Sequence, residues 1–268
     1  MKKSILLLFI LFTFAVGLTY AHDDDVLALH DVIEECEDTC THIHGIDMSH
    51  YQGDIFWAKI GDNAKMAYVY LKATEADDNI DKRYAHNIKM AKKYGLKVGS
   101  YHFFRPRKEL KQQLHNFMSQ CRPEDQDLIP MIDVETTSKM KTKAFCDSLH
   151  KFLIMVEEAY GQKPLVYTGR NFYNKYLLGK LDGYELMIAM YSDNIPILAD
   201  ERDFIIWQYT AKGHIDGVNG YVDKSRLMGK HSLRELRYHH KDKEKREKQK
   251  EKKHGEDGWM IIPDPEVE

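Results

Sequence analysis

The middle of the chain alternates between two patterns of hydrophobic and polar positions. Apolar residues recur three and four positions apart in Asp81–Tyr94, Lys108–Gln120 and Lys141–Tyr160, which predicts amphipathic helices. Short apolar runs of strand length lie between these segments and on either side of them. The predicted strands are Ile43–Met48, Met66–Ala73, Lys97–Phe103, Leu128–Val134, Pro164–Tyr167, Glu185–Met190 and Phe204–Tyr209.

Strands and helices in alternation predict an α/β fold in which helices cover a parallel sheet. Seven or eight strands within roughly 195 residues favour a compact TIM-like barrel over an open doubly wound sheet. No glycine-rich phosphate loop follows the first strand, which argues against a nucleotide-binding fold. In a parallel barrel the carboxyl ends of all strands meet on one face, so polar residues at these ends are candidates for an active site.

The first 21 residues are typical of a secretory signal peptide. Lys2 and Lys3 precede an apolar run, and small residues stand at Thr19 and Ala21, before the expected cleavage point. The run of about fourteen apolar residues would span only ~21 Å as a helix, which is short of a bilayer core of ~30 Å. We therefore predict cleavage, export to the periplasm or the extracellular space, and no transmembrane segment in the mature chain.

The predicted barrel occupies residues 43–238 and lies between two segments of different composition. Residues 22–42 are acidic and predict a linker or a short helix. Residues 239–268 form a charged C-terminal tail, in which His239–His254 has no apolar residue and cannot contribute to a core. The tail is expected to be a solvated helix or extension, with an electrostatic tether to an anionic envelope polymer as the alternative.

Composition and charge exclude two broad classes of protein. The 39 Lys+Arg and 42 Asp+Glu residues give a net charge of -3, which excludes a general nucleic-acid binder because phosphate neutralisation requires a basic excess. The 43% hydrophobic and 11% aromatic content excludes a wholly disordered chain. Four cysteines, Cys36, Cys40, Cys121 and Cys146, permit two disulfides in an exported protein, with three possible pairings.

The fourth predicted strand ends in the acidic sequence Asp133-Val134-Glu135. Residues i and i+2 of a strand project to the same side, roughly 6–7 Å apart, so both carboxylates can face one ligand. Residues 128–132 are apolar, and burial with mutual repulsion is expected to raise one pKa of the pair. A protonated acid beside an ionised carboxylate is suited to cleaving a glycosidic bond. On its own, such a pair is more often a solvated strand end or a cation site than a catalytic pair.

Six short sequence blocks follow one another along the chain. They are Gly45–Gly53, Tyr70–Glu75, Gly99–Phe103, Pro130–Glu135, Pro164–Thr168 and Trp207–Thr210. Their order and spacing resemble those of family-25 glycoside hydrolases, the Chalaropsis-type lysozymes, over most of the chain between its two ends. The resemblance implies an eight-stranded α/β barrel with few helices between the later strands, and N-acetylmuramidase activity on peptidoglycan.

The resemblance also implies catalytic roles for four acidic residues. Glu135 matches the catalytic acid of the family, Asp133 its partner carboxylate, and Asp47 the acidic residue of the first strand. Asp223, in a Gly-Tyr-Val-Asp element, matches the last acidic residue of the cleft, with Asp216 nearby as a weaker match. The nucleophile is either Asp133 or the N-acetyl group of the substrate itself, because both routes are used by glycosidases.

Five further residues are predicted to contact the substrate. Tyr101, Tyr191 and Trp207 offer flat apolar faces for sugar rings and polar edges for their hydroxyls, although Trp207 also fits a core position. Lys72 and Glu75 end the second predicted strand. These two form either a buried ion pair or a contact with the substrate.

The leading hypothesis is a secreted, monomeric lysozyme that acts on peptidoglycan glycan strands. It cleaves the β-1,4 bond between N-acetylmuramic acid and N-acetylglucosamine and uses no cofactor. No metal is expected, because His102 has no second ligand at metal-binding spacing and is better explained by hydrogen bonding. The alternative is a non-catalytic peptidoglycan-binding module on the same barrel, which the presence of all four acidic residues disfavours. A chitinase would require a longer acidic run on the fourth strand.

Overall fold

The computed structural model describes residues 43–229 and 231–240. Eight strands close into a barrel, and a further short strand, β3, extends it at the end of β2. The strands are β1 (His44–Met48), β2 (Met66–Glu75), β3 (Asn79–Ile80), β4 (Lys97–Phe103), β5 (Met131–Asp133), β6 (Leu165–Gly169), β7 (Leu186–Ala189), β8 (Ile206–Gly213) and β9 (Val222–Leu227). All seven predicted strands are present, and the predicted α/β barrel of eight strands is confirmed.

Seven of the barrel strands are parallel, and the eighth runs in the opposite direction. The parallel pairing extends from β1 through β2, β4, β5, β6 and β7 to β8. β9 closes the barrel by pairing antiparallel with both β8 and β1. The hydrophobic pattern did not predict this strand, because three of its six residues are charged. The expectation of a parallel sheet therefore holds for all barrel strands except the closing one.

Four helices cover the outside of the barrel along its first five strands. They are α1 (Trp57–Gly61), α2 (Tyr84–Lys93), α3 (Leu110–Gln120) and α4 (Thr142–Tyr160). The last three correspond to the three predicted helices, and each buries its apolar face against the barrel.

The second half of the barrel has little helical cover. A short helix, α5 (Arg170–Phe172), and a π-helical turn (Tyr173–Leu177) follow β6. Between β7 and β9 the described chain contains no helix. The expectation of few helices between the later strands is thus met, and the loops here are free to shape the mouth of the barrel.

Two tyrosines of β2 fill one end of the barrel interior. Tyr68 and Tyr70 are fully buried. The Tyr68 hydroxyl forms a hydrogen bond of 2.9 Å with Ser225 Oγ, and the Tyr70 hydroxyl donates to the carbonyl oxygen of Ile129 at 3.2 Å. Lys72 follows in the same inward-facing row, because side chains two positions apart lie on one side of a strand. The barrel is therefore closed by aromatic rings at one end and polar towards the other.

Residues 231–240 pack against the barrel. The Ile129 amide donates to the carbonyl oxygen of Leu236 at 2.8 Å, and the Tyr238 amide donates to that of Asp127 at 2.9 Å. The buried Tyr238 hydroxyl also donates to the carbonyl oxygen of Tyr160, at the end of α4, at 2.9 Å. These contacts make the segment part of the folded domain.

Cys121 and Cys146 are both free thiols in the described chain, the first buried and the second half-buried. They do not bond to each other, and Cys36 and Cys40 lie outside the described residues. The predicted signal peptide, the linker and all of the tail beyond His240 also lie outside them. No helix within residues 43–229 and 231–240 has the length and apolarity that a membrane span requires.

Candidate active site

A cavity of about 200 Å³ opens at the carboxyl end of the parallel strands. All eight barrel strands, or the residues that directly follow them, contribute to its wall. Seven of the nine predicted site residues line this cavity: Asp47, Lys72, Tyr101, Asp133, Glu135, Tyr191 and Asp223. The fold thus brings together side chains that are widely separated along the sequence.

Asp133 and Glu135 form the β5 side of the cavity. Asp133 is buried, and its Oδ1 atom has no hydrogen-bond partner among the described residues. Burial raises the pKa of Asp133 well above its ordinary value, and the charge of Glu135 adds to the effect. Glu135 stands at the exposed rim. Partial loss of hydration raises the pKa of Glu135, although the nearby Tyr167 hydroxyl acts to lower it. Both carboxyl groups are therefore biased towards the protonated form.

Asp47 and Asp223 lie across the cavity from this pair. They are directly opposed residues on the antiparallel strands β1 and β9. Burial, with a smaller contribution from the charge of Asp223, raises the pKa of Asp47 to about 8. Burial, followed by the charge of Glu135, raises the pKa of Asp223 to about 6. The four carboxyl groups cannot all be ionised in this space without mutual repulsion, so the cavity holds protons at neutral pH.

Gln208 links the two sides of the cavity and was missed by the sequence analysis. Its Nε2 atom donates to Asp47 Oδ2 at 2.9 Å. Its Oε1 atom accepts hydrogen bonds from the hydroxyls of Tyr167 at 2.9 Å and Tyr191 at 3.1 Å. The donor fixes one oxygen of Asp47, while Oδ1 of the same carboxyl group has no partner among the described residues. That oxygen is left available for a ligand.

Trp207 does not line the cavity, in contrast to its predicted role in binding. It is 4% exposed, and its indole nitrogen donates to the carbonyl oxygen of Met190 at 2.9 Å. The guanidinium of Arg226 lies over its ring at 5.0 Å. Successive side chains of a strand point to opposite faces, so the inward position of Gln208 places Trp207 on the outer face of β8. The core interpretation of Trp207 is the one that the packing supports.

Lys72 and Glu75 form an ion pair of 2.7 Å at the edge of the cavity. Arg105 Nε donates to the other oxygen of Glu75 at 2.9 Å, so one carboxylate holds two cations. Lys72 lines the cavity, whereas Glu75 does not. The positive charge of Lys72 acts to lower the pKa of Asp133. Glu75 therefore takes the first of the two predicted roles, as a member of an ion pair. Lys72 belongs to the same ion pair and also faces the space where a ligand would bind.

Five other lining residues were also missed by the sequence analysis: Ser49, Tyr51, Phe103, Met131 and Tyr167. Phe103 lies two positions from Tyr101 on β4, Met131 lies two positions from Asp133 on β5, and Ser49 lies two positions from Asp47 just beyond β1. The period of two along a strand is the pattern that could have identified these three.

His102 is a buried structural residue. Its ring nitrogens contact Thr74 Oγ1 at 2.8 Å and Gln113 Oε1 at 3.3 Å. Burial lowers the pKa of His102 to about 4, so the imidazole is neutral at physiological pH. No group of three or more His, Cys, Asp or Glu residues within the described ranges is arranged to hold a metal ion.

Comparisons with known proteins identify one family. The sequence profile described as "Glycosyl hydrolases family 25" matches residues 46–218. The chain is 33% identical over 185 residues to the uncharacterized protein YegX of Escherichia coli K12, covering 68% of each chain. It is 27% identical over 207 residues to lysozyme M1 of Streptomyces globisporus, covering 70% of this chain and 68% of that protein.

Among solved structures, the fold is similar to that of a family 25 glycosyl hydrolase from Bacillus anthracis. The TM-score is 0.65 at 30% identity, with 70% of this chain and 89% of the other covered. The family profile spans the barrel from β1 to the loop that precedes β9.

Proposed function

Since the chain belongs to glycosyl hydrolase family 25 and is a glycoside hydrolase of the lysozyme type, we propose that it cleaves the β-1,4 bond between N-acetylmuramic acid and N-acetylglucosamine. The observation that carries the proposal is the pairing of an exposed carboxyl, Glu135, with a buried one, Asp133, two positions earlier. Two acids in such different surroundings are suited to different tasks on one substrate.

Glu135 is the proton donor in this mechanism. It stands at the rim, where a glycosidic oxygen can reach it, and its raised pKa favours the protonated form that a general acid needs. As the proton passes to the glycosidic oxygen, the bond from this oxygen to C1 of the sugar breaks and positive charge develops at C1. The carboxylate left on Glu135 then takes a proton from the water that completes hydrolysis.

Asp133 orients the substrate rather than attacking it. Burial and the neighbouring carboxylates disfavour the charged form of Asp133, and an uncharged carboxyl is a poor nucleophile. The N-acetyl oxygen of the substrate attacks C1 instead, as in other substrate-assisted glycosidases. The unpartnered Oδ1 atom of Asp133 is available to hydrogen bond with the N-acetyl group and hold it in place.

The biological substrate in this proposal is peptidoglycan, and the role is catabolism or remodelling of the cell wall. The lysozymes among the relatives, including an autolytic lysozyme of Clostridium acetobutylicum that is 28% identical, support this substrate class. The apolar sequence at the start of the chain supports export to the periplasm or the extracellular space.

Replacing the catalytic acid tests the proposal. Glu135→Gln retains the size of the side chain but removes the proton donor, so release of soluble fragments from purified peptidoglycan should fall by about 10²- to 10⁴-fold. The matched control is Glu158→Gln on the exposed face of α4, which should retain full activity. Circular dichroism and the melting temperature establish that both variants are folded.

The chemical identity of the released fragments tests which bond is cleaved. Mass spectrometry after borohydride reduction should find N-acetylmuramic acid at the reducing ends. Reducing ends of N-acetylglucosamine would contradict the assignment of the bond. A wild-type protein that binds peptidoglycan but releases no fragments would instead identify a non-catalytic binding module.

A further inference from the structure

The exposed aromatic side chains are concentrated at one end of the barrel. Four Phe, Tyr or Trp side chains of the described residues are exposed: Tyr51 at 80%, Phe56 at 61%, Tyr191 at 58% and Tyr221 at 57%. Tyr51 and Phe56 follow β1, Tyr191 follows β7, and Tyr221 precedes the antiparallel β9. All four therefore lie at the mouth of the cavity. Aromatic rings that remain exposed in one place indicate a binding surface.

Three of these rings belong to two loops that are bonded to each other. The Phe56 amide donates to the carbonyl oxygen of Gly217 at 2.8 Å, and Gln52 Nε2 donates to that of Tyr221 at 3.4 Å. The imidazole of His214 packs against Tyr221, with ring centroids 5.0 Å apart. We refer to Tyr51, Phe56, His214 and Tyr221 as the aromatic ledge. One backbone bond and one side-chain bond therefore hold together the two loops that carry the ledge.

The ledge is continuous with the catalytic cavity. Tyr51 belongs to both, because it also lines the cavity. Tyr221 directly precedes β9 at the mouth, two positions before Asp223 of the cavity wall. A second hollow is lined by Phe56, Gly217 and their neighbours, so it adjoins the ledge. A linear ligand that fills the cavity would therefore extend over Tyr221.

We propose that the aromatic ledge binds additional sugar rings of the glycan strand, beyond the pair of sugars at the cleaved bond. This inference rests on the proposed function, because the strand that enters the cavity is the ligand. The face of a pyranose ring carries C–H groups that pack on the flat face of a tyrosine, while its hydroxyls remain in water. The ledge therefore makes the protein bind longer glycan strands more tightly. It also slows the dissociation of a strand between successive cleavage events.

Binding to defined oligosaccharides tests the ledge without depending on cleavage. The probes are β-1,4-linked N-acetylglucosamine tetrasaccharide and hexasaccharide, and their dissociation constants are measured by isothermal titration calorimetry on Glu135→Gln. The hexasaccharide should bind about three- to tenfold more tightly than the tetrasaccharide, which corresponds to one or two stacked rings. Adding Tyr221→Ala should abolish this gain with length.

The control is Ile154→Ala, which removes an exposed apolar side chain from α4, away from the mouth. This variant should retain the full gain in affinity between the two oligosaccharides. An equal gain in affinity from tetrasaccharide to hexasaccharide in the proteins with and without the Tyr221 side chain would contradict the proposed role of the ledge. If wild-type protein cleaves no glycan while the gain in binding still depends on Tyr221, the hydrolytic function fails and the ledge stands.

Discussion

Gln208 joins the two sides of the catalytic cavity through three hydrogen bonds. Its amide donates to Asp47 and accepts from Tyr167 and Tyr191, so the direction of the amide is fixed by its partners. An amide can serve both roles at once, whereas a carboxylate at this position would repel Asp47. Gln208 is therefore a positioning residue, which acts on the substrate through Asp47 and the two tyrosines.

Removing this amide should disorder the cavity without unfolding the barrel. Gln208→Ala leaves both oxygens of Asp47 without a fixed donor and frees the two tyrosine hydroxyls, so we expect kcat/KM on peptidoglycan to fall roughly 10- to 100-fold. Because the lost hydrogen bond acts to lower the pKa of Asp47, the pH dependence of kcat/KM should also shift upward. The control is Gln112→Ala on α3, and an unchanged pH profile in Gln208→Ala would contradict the positioning role.

The acidic residues of the site were predictable from the sequence, and Gln208 was not. Asp133 and Glu135 form a recognisable pair after an apolar run, and Asp47 falls in a block with a family pattern. Gln208 instead follows Trp207, and the prediction of substrate binding was made for the aromatic residue rather than for the amide beside it. Only the pairing of β7, β8 and β9 establishes which of the two points inward. The sequence of one strand does not specify which of its faces points into the barrel. A register shift by one residue would move every side chain of the strand to the opposite face.

At the scale of elements, glycines on neighbouring strands determine how the tyrosines of β2 pack. A Cβ atom at Gly45 would lie 2.1 Å from the Tyr68 ring, and one at Gly99 would lie 2.2 Å from the Tyr70 ring. Both distances are far below van der Waals contact. The rings can fill the barrel only because the facing strands carry no side chain at these positions, which is a steric requirement rather than one of backbone flexibility.

A methyl group at Gly99 should therefore destabilise the barrel. Gly99→Ala forces the buried Tyr70 ring or the adjoining strands to move, and we expect the free energy of unfolding to fall by about 1–3 kcal/mol in urea denaturation. The matched control is Gly169→Ala in β6, where the nearest atom to a new Cβ lies 4.0 Å away. Equal stability of the two variants would show that Tyr70 does not require the space.

The boundaries of elements were less predictable than their existence. The helix predicted from Asp81 begins at Tyr84, because the Asp81 carboxylate accepts hydrogen bonds from the amides of His50 and Arg83, each at 2.9 Å. The side chain thereby forms a turn that joins the helix to the β1 loop. The bond to Arg83 is local, but the bond to His50 joins residues 31 positions apart, which no local pattern contains.

For the whole molecule, the carboxyl groups that serve the proposed chemistry reduce stability. Asp47 and Asp133 are buried, and each has an oxygen with no partner among the described residues. Such groups persist when the surrounding structure is stable enough to hold them. The closed barrel, its tyrosine-filled interior and the packed segment 231–240 provide that stability. The buried carboxyl groups of the site thus lower the free energy of unfolding, and the packing of the barrel raises it.

This opposition predicts how stability changes with pH. The pKa of Asp47 is raised from its ordinary 3.8 to about 8, so between these values the unfolded chain releases a proton that the folded protein retains. As far as Asp47 determines it, the free energy of unfolding is therefore highest below about pH 4 and falls as the pH rises towards 8. Asp223, with a pKa of about 6, adds to the loss over the lower part of this range.

Asp47→Asn should remove much of this pH dependence. Asparagine retains an oxygen for the Gln208 donor but cannot ionise, so the variant should be more stable than wild type at pH 8 by on the order of a few kcal/mol, and nearly equal to it at pH 4. Urea denaturation at both pH values measures the difference. Asp193→Asn, in an exposed loop, is the control and should show the same pH dependence of stability as wild type.

Parallel pH profiles of stability for wild type and Asp47→Asn would mean that Asp47 is already ionised in the folded protein. The gain in stability should coincide with a loss of lytic activity, because the group that is costly to bury is the one that the cavity presents to its ligand.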